Sequence, residues 1–419
     1  MKALVITVGV GTGPNKEEAT KSLSHGIAIS ICENNPDRVF FIASKESKEI
    51  TIPLVLKILE EEFKVRKDYE IVEIKDEDDL NECFETVLNT IKKAKQEGYR
   101  VTVDFTSGTK SMSAGSVLAA IQELTKISYT SGKRVGGKVV SGTEIIRISS
   151  PWKPIVENQL NFLSKLFNKY QFIACKEVIN DIRKIVEDPE VINKLKKYEL
   201  ICEGYYYWDT FAHEKAKENL LKEESIPSEN KEFLGKLSST EEKEPFFISD
   251  LLNNSKRRAI EGKYDDALAR LYRVIELIAQ YILKKKYNID TSNVELDKII
   301  EKISSKITKE EIDKIKVKLE KEKDKDGKIK IGMQKSYELL YFFNDPLGIE
   351  FNNNKKLQDY LKKRNESILA HGIKPITKEE YETLYEEVKK IASIAVKNFD
   401  ELMKKCEFPK FETINHLHF

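Results

Sequence analysis

Short, continuous apolar runs alternate with amphipathic stretches over the first part of the chain. The runs are rich in β-branched side chains and occupy residues 4–8, 39–43, 70–74 and 101–105. A run of this length without alternation predicts a strand that is buried on both faces of a parallel sheet. The stretches between them have helical periodicity, at residues 17–34, 50–63 and 78–97. Strands that alternate with helices of this length predict a Rossmann-like α/β domain over residues 1–150.

The pattern changes after the fourth strand. Residues 127–148 are β-branched and glycine-rich, which predicts a strand and then an antiparallel edge hairpin that turns at Gly136-Gly137. Beyond Pro151 the periodicity is helical. We predict an all-α middle region over residues 151–244, in which the aromatic cluster at 205–208 belongs to the core. A further all-α domain is expected over residues 245–419. Its long helix at 265–287 carries a buried face formed by Ala267, Leu271, Ile275, Ile278 and Ile282.

Composition narrows the class of protein. The 419 residues include 71 Lys and Arg against 70 Asp and Glu, a net charge of +1. Stable DNA binding through bulk charge is therefore not expected, although a local basic cleft is compatible with this balance. The N-terminus lacks a signal-peptide layout, no apolar run reaches the length of a membrane span, and the five Cys form no CxxC pair. We expect a cytoplasmic protein with no membrane partner, no metal site and no cofactor.

Two loops follow strands at the sheet edge where open α/β domains bind ligands. The first is Gly9-Val10-Gly11-Thr12-Gly13. It would fit a dinucleotide site, but the acidic residue expected after the second strand is missing, because Ser44-Lys45 stands there. The second loop runs from Asp104 to Met112 and opens a helix. Its hydroxyls, its backbone N–H groups and Lys110 predict an anion cradle. Walker A spacing is absent, so magnesium-assisted nucleotide hydrolysis is not indicated.

An arginine and a histidine lie near the C-terminal end in a stretch with helical character. We predict a helix over 355–371 that ends at Gly372 as its C-cap. Arg364 and His371 would then lie within about 20° of each other on one face and roughly 10 Å apart along the axis. Such a pair suits one phosphodiester, because Arg stays charged and His exchanges a proton near neutral pH. The spacing alone also fits two side chains on a solvated helix.

Both motifs resemble those of one family. The Asp104–Met112 loop, together with the Val-Gly-x-Gly first loop, resembles the ligand loops of CARF (CRISPR-associated Rossmann fold) domains. Arg364-Asn365-(five residues)-His371-Gly372 is similar to the Arg-x4–6-His motif of HEPN ribonuclease domains. This order is that of the accessory CARF–HEPN ribonucleases of type III CRISPR systems, the Csm/Csx family. Two further pieces, 207–216 and 257–273, resemble one branch of it.

The resemblance implies a homodimeric endoribonuclease of antiviral defence that a cyclic oligoadenylate switches on. The residues carried over to the ligand site are Gly9, Val10, Gly11, Thr12, Gly13, Asn15, Ser44, Lys45, Thr106, Ser107, Gly108, Thr109, Lys110 and Ser111. The ring size does not follow from the loops, and cyclic tetra-adenylate is favoured over the hexamer. Some family members also cut their activator slowly in this pocket. Whether this chain does so stays open.

For the last domain the resemblance implies metal-independent cleavage of single-stranded RNA, in which a 2′-OH attacks the adjacent phosphate and leaves a 2′,3′-cyclic phosphate. His371 would act as acid or base, Arg364 would stabilise the phosphoryl charge, and Asn365 would orient the substrate or the His ring. Two copies of this set would meet across the dimer axis. Two alternatives stay open: a ring nuclease whose helical domain is structural, and a nucleotide-sensing transcriptional regulator without ribonuclease output.

Overall fold

The computed structural model describes residues 1–12, 15–135, 138–139, 143–150, 152–186, 188–303, 308–323, 325–365, 367–368 and 372–414. Only the backbone is described at 134, 135, 138, 139, 302, 303, 311, 314, 363–365 and 414. The chain divides into two compact units, one from Met1 to Gln159 and one that begins at Leu160.

The first unit is a mixed six-stranded sheet flanked by helices. Its elements are β1 (Lys2–Val8), α1 (Lys16–Asn34), β2 (Arg38–Ala43), α2 (Lys45–Glu61), β3 (Asp68–Glu73), α3 (Leu80–Gln96), β4 (Arg100–Asp104), α4 (Lys110–Gln122), β5 (Lys126–Ser131), β6 (Arg134–Val135), β7 (Lys138–Val139) and β8 (Ile145–Ser149). The strand order of the sheet is β3-β2-β1-β4-β5-β8, and within this sheet only the β5–β8 pair is antiparallel. The predicted α/β fold is confirmed.

The apolar strands are continuous because both faces of the sheet are covered. Leu4 and Ile6 of β1 pack into the core formed with α1 and α2. Ala3 and Val5 point the other way, into the core formed with α3 and α4. A strand with helices on both sides needs no polar face, and this explains the unbroken run in the sequence.

Two details of the first unit differ from the prediction. Helix α2 begins at Lys45, five residues earlier than predicted, because Ser44 caps it through a hydrogen bond from the Ser47 N–H. Because the first turn of α2 is polar, apolar periodicity does not show where the helix begins. The predicted hairpin is a separate two-stranded ribbon of β6 and β7, whose turn at 136–137 lies outside the described residues. The edge of the main sheet is β8 instead.

Within its described residues, the second unit has helices as its regular elements. They are α5 (Trp152–Phe167, which begins in the first unit), α6 (Phe172–Ile185), α7 (Pro189–Asp209), α8 (His213–Leu220), α9 (Ser228–Ser239), α10 (Glu244–Ile260), α11 (Tyr264–Tyr287), α12 (Leu296–Ile303), α13 (Lys309–Glu320), α14 (Met333–Phe342), α15 (Pro346–Asn353), α16 (Lys355–Asn365), α17 (Lys378–Ala395), α18 (Phe399–Lys405) and α19 (Phe411–Ile414). An α/β domain followed by helices is therefore confirmed. A separate middle domain stays a prediction.

Helix α11 is the centre of the core of the second unit. All five residues of its predicted buried face are at most 3% exposed. They contribute to one large cluster with apolar side chains of α10, α14 and α17. The periodicity in the sequence therefore identified the face correctly, because a spacing of three and four residues repeats along one side of a helix.

Candidate ligand loops and catalytic segment

The two predicted ligand loops meet at one edge of the sheet. Strands β1 and β4 are parallel neighbours, so the loops that follow them emerge side by side, at the point where the strand order reverses. The Gly9 N–H donates to Ser107 Oγ at 2.9 Å. A Cβ on Gly9 would lie 2.9 Å from both the Cα and the N of Gly108. The missing side chain of Gly9 is what permits this contact, while Gly108 supplies a φ of +106° that other residues rarely adopt.

Asp104, at the end of β4, anchors the second loop, a role that the sequence pattern did not predict. Its carboxylate is fully buried and accepts hydrogen bonds from Ser30 Oγ at 2.6 Å and from Ser128 Oγ at 2.7 Å. The Thr106 N–H donates to the same carboxylate at 2.9 Å. A buried carboxylate needs such donors. The sequence feature that could have predicted this role is an acidic residue at the end of an apolar strand.

Most hydroxyls of the second loop make hydrogen bonds inside the protein. Thr106 Oγ1 accepts from the Thr130 N–H at 2.8 Å. Thr109 is the N-cap of α4, and Ser111 Oγ donates to the Asp78 carbonyl at 2.8 Å. Lys110 is exposed at the first position of α4, and among the described residues its ammonium forms no ion pair. The loop therefore offers a ligand Lys110 and the N–H groups of the helix terminus more than free hydroxyls.

The first loop is held by α1 and α2. The Gly11 N–H donates to Thr20 Oγ1 at 3.1 Å, and Thr51 Oγ1 donates to the Gly9 carbonyl at 2.8 Å. Asn15 caps α1, and its side chain accepts from the Glu18 N–H at 3.2 Å. The other predicted members are half-buried or exposed: Val10 and Thr12. Gly13 lies outside the described residues.

Ser44 and Lys45, the predicted side wall, border a separate cavity of about 540 Å³ at the start of α2. Ser44 is buried as the helix cap, while Lys45 is exposed. Four glutamates and two lysines line the cavity: Glu46, Glu49, Glu73, Glu77, Lys45 and Lys75. Lys16 and Lys48, outside the lining, pair with Glu46 and Glu73, so the charges around the cavity balance and give no strong attraction for a phosphate. An anion is better placed over Lys110.

Replacing Gly9 by alanine tests the contact between the loops. The new Cβ would clash with backbone atoms that no rotamer change can move, so we expect a loss of about 1–3 kcal/mol in the free energy of unfolding. Hydrogen exchange should rise in the peptide that carries Gly9. The matched control is Gly26→Ala, where a Cβ would meet nothing within 4 Å and helix α1 should gain about 0.5–1 kcal/mol. Equal stabilities in urea unfolding would show that the loops are not tightly packed.

The predicted helix through the Arg364–His371 stretch is wrong in its second half. Helix α16 ends at Asn365, the backbone of Ser367 forms an isolated parallel bridge with Lys374, and the Gly372 N–H donates to the Ser367 carbonyl at 3.1 Å. Local helix propensity is overridden by these pairings across the turn. Gly372 is therefore not a C-cap. His371 and the side chains of Arg364 and Asn365 lie outside the described part of the chain.

The far end of the candidate catalytic segment, residues 364–376, is tied to α11. The Ile376 N–H donates to Asp265 Oδ2 at 3.2 Å. Thr377 then caps α17 in a reciprocal capping box with Glu380. The segment is thus held by α16 at one end and by α11 and α17 at the other. Up to residue 414, where the described part of the chain ends, three helices follow it rather than the single one predicted.

The two pieces at 207–216 and 257–273 meet in a buried polar network around Asp250. This carboxylate is fully buried on α10. It accepts from Trp208 Nε1 at 3.1 Å, lies 2.7 Å from His213 Nε2 and 3.4 Å from the Arg257 guanidinium. The network joins the α7–α8 junction to α10.

Asp209 at the end of α7 completes the network. Arg257 Nε donates to it at 2.7 Å, and Arg258 donates to its other oxygen. The Arg257 guanidinium also lies over the Phe408 ring, 3.8 Å from the centroid. Tyr205 and Trp208 are fully buried around this point, which confirms that these two aromatic residues belong to the core.

Two family models together match residues 156–395. A model of the Csm6 6H domain matches residues 156–245, and a model of the Csm6 HEPN domain matches residues 236–395. No curated protein matches the chain significantly. The described residues include no helix long and apolar enough to cross a membrane, and no group of three or more His, Cys, Asp and Glu placed to hold a metal ion.

One solved structure shares the fold over nearly the whole chain. Enterococcus italicus Csm6 bound to cyclic hexa-2′-fluoro-hexa-dAMP is 14% identical, with 97% of this chain and 98% of that chain covered and a TM-score of 0.64. Can2 from Sulfobacillus thermosulfidooxidans in complex with cyclic tetra-adenylate is 11% identical, with 52% and 68% covered, and its TM-score of 0.24 is too low to support an inference.

Proposed function

Since the chain belongs to the Csm6-like accessory ribonucleases of type III CRISPR systems, we propose that it is an endoribonuclease switched on by a cyclic oligoadenylate. The observation that carries the proposal is the meeting of the Gly9 and Gly108 loops beside Lys110, in a chain whose Csm6 HEPN match contains Arg364 and His371. One unit then senses an anionic nucleotide, and the other cleaves RNA.

The activator would lie over the loops of two protomers. A cyclic oligoadenylate carries one phosphate per nucleotide, so a ring on a two-fold axis presents equivalent phosphates to both copies of Lys110. Helix α4 adds the positive end of its dipole at the same place. Cyclic tetra-adenylate is the proposed activator, and no cofactor is required.

The cleavage chemistry would use the catalytic segments of both protomers. The 2′-OH attacks the adjacent phosphorus, the bond to the 5′ oxygen breaks, and the products are a 2′,3′-cyclic phosphate and a 5′-OH. One His371 takes the proton of the 2′-OH while its partner copy protonates the leaving oxygen. Arg364 donates hydrogen bonds to the phosphoryl oxygens, where negative charge develops, and Asn365 orients the substrate. No step requires a metal ion.

A cleavage assay tests this proposal. Purified protein is incubated with a fluorescent single-stranded RNA, alone and with cyclic tetra- or hexa-adenylate, with and without EDTA. We expect cleavage only with an activator, unchanged by EDTA, and product ends that carry a cyclic phosphate. Absence of RNA cleavage in every arm would contradict the proposal. Loss of the cyclic oligoadenylate without RNA cleavage would instead identify a ring nuclease.

Lys110→Met should weaken activation without changing the catalytic step. Losing a charged hydrogen bond to phosphate removes about 1.5–3 kcal/mol, so the activator concentration for half-maximal cleavage should rise by about tenfold or more. The rate at saturating activator should stay the same. The control is Lys57→Met, which removes an exposed lysine from the far half of α2. Equal activation curves for the two variants would show that Lys110 does not contact the activator.

A further inference from the structure

A groove in the second unit borders the end of the catalytic segment. It has a volume of about 680 Å³ and lies between the end of α10, the start of α11 and α17, within the range of roughly 300–1,000 Å³ usual for ligand sites. Tyr264, which lines it, precedes Asp265, the residue that holds Ile376. Lys378, two residues beyond Ile376, lines it as well. A molecule in the groove would therefore lie beside the segment that carries His371.

Three tyrosine rings form a row in this groove. The Tyr264 and Tyr381 centroids are 6.1 Å apart, and those of Tyr381 and Tyr385 are 5.8 Å apart. Tyr381 is buried, which fixes its ring, and its hydroxyl lies 3.4 Å from Ser255 Oγ, while Tyr264 and Tyr385 are half-buried. Ile260 beside them is 51% exposed. The row thus has a fixed centre and two accessible ends that a flat aromatic molecule can cover.

The charges around the rings balance. Lys378 pairs with Glu382 at 3.6 Å, and Lys256 and Glu386 also line the groove. Four charged side chains in so small a lining are unlike the core of a protein–protein interface, where charged residues are depleted. Because the positive and negative side chains are equal in number, they do not strongly attract a long polyanion. The groove is better suited to a single nucleobase and the backbone on either side of it.

We propose that this groove binds a nucleobase of the single-stranded RNA next to the scissile phosphodiester, by stacking on Tyr264 and Tyr385. The inference rests on the proposed ribonuclease function and adds a substrate subsite to it. Stacking on tyrosine accepts any base, because every base has an aromatic face. Lys256 and Lys378 at the margins are exposed and paired with Glu407 and Glu382 at 3.6 Å, and each would exchange this carboxylate for one of the two adjacent phosphates.

The test uses the full-length chain and a fluorescent single-stranded RNA. Tyr264→Ala and Tyr385→Ala should each raise the KM for RNA by about tenfold, the effect of losing one stacked base. Tyr264→Phe keeps the ring and should restore the KM. RNA binding by His371→Ala, with and without the Tyr264→Ala change, gives affinity independently of cleavage. The control is Tyr341→Ala, which removes a tyrosine that is 45% exposed on α14.

Salt provides a second readout. The lost affinity comes from stacking, so the slope of log affinity against log salt should be the same in Tyr264→Ala as in the parent protein. Lys378→Met should reduce that slope instead.

Three results would overturn the inference. Unchanged KM and RNA affinity in both alanine variants would show that the groove is not occupied by RNA. A shift from dimer to monomer in light scattering would assign the groove to a second copy of the chain. Failure of the Phe variant to restore the KM would show that the ring is not what binds. A different result separates this inference from the proposed function. If the parent protein cleaves no RNA but the alanine variants still weaken RNA binding, the proposed ribonuclease function is wrong and the groove is still an RNA-binding site.

Discussion

Replacing His371 by alanine is expected to lower activator-stimulated RNA cleavage by about 10²–10⁴-fold, the usual contribution of a general acid or base. This is the largest effect that we predict. Activator binding should be unchanged, because the ligand loops belong to the other unit. Initial rates at saturating activator, together with activator affinity by calorimetry, measure both quantities. Retained cleavage in this variant would remove His371 from the mechanism.

Mixed dimers show whether the site is shared between protomers. If one His371 acts as base and its partner copy as acid, a dimer with a single His371→Ala subunit should be nearly inactive. The activity of randomly mixed subunits should then fall with the square of the wild-type fraction. A linear decrease would show that each protomer carries a complete site.

Arg364→Lys separates charge from geometry in the same assay. Lysine keeps the positive charge but loses the planar fork that binds two phosphoryl oxygens together. We therefore expect its rate to fall close to that of Arg364→Ala.

Replacing Asp250 by alanine is expected to destabilise the second unit by about 3–5 kcal/mol, the cost of leaving a buried charge without its partner. The change leaves Trp208, His213 and Arg257 without the acceptor that they share. Urea unfolding followed by tryptophan fluorescence is a direct measurement, because Trp208 is one of only two tryptophans in the chain and touches the altered position.

Asp181→Ala is the matched control for this variant. Asp181 is 63% exposed and pairs with Lys184 one turn away on α6. We expect its removal to change the free energy of unfolding by no more than about 0.5 kcal/mol. A similar small effect at Asp250 would mean that the network contributes nothing to stability, for example because water replaces the carboxylate.

The α/β fold and the meeting of its loops were predictable because both follow from local pattern. A continuous apolar run predicts a strand covered on both sides, and parallel strands bring their following loops to one edge. Gly9 and Ser107 are distant in sequence, yet sheet topology alone places them together. The buried face of α11 was also predictable from the sequence, since helical spacing repeats within one segment.

Other features follow from contacts between segments that no local pattern connects. The end of α16 at Asn365 depends on the bridge between Ser367 and Lys374, which overrides helix propensity. The Asp250 network joins α7, α8 and α10, and the tyrosine row joins α11 to α17.

The sequence by itself determined the fold class, and it predicted the two candidate ligand loops and the Arg–His motif, because periodicity and short motifs are properties of single segments. Tertiary structure alone decided which carboxylates are buried, how the catalytic segment is held and where a groove opens beside it. These depend on hydrogen bonds and packing between distant residues, whose free energies outweigh local preference.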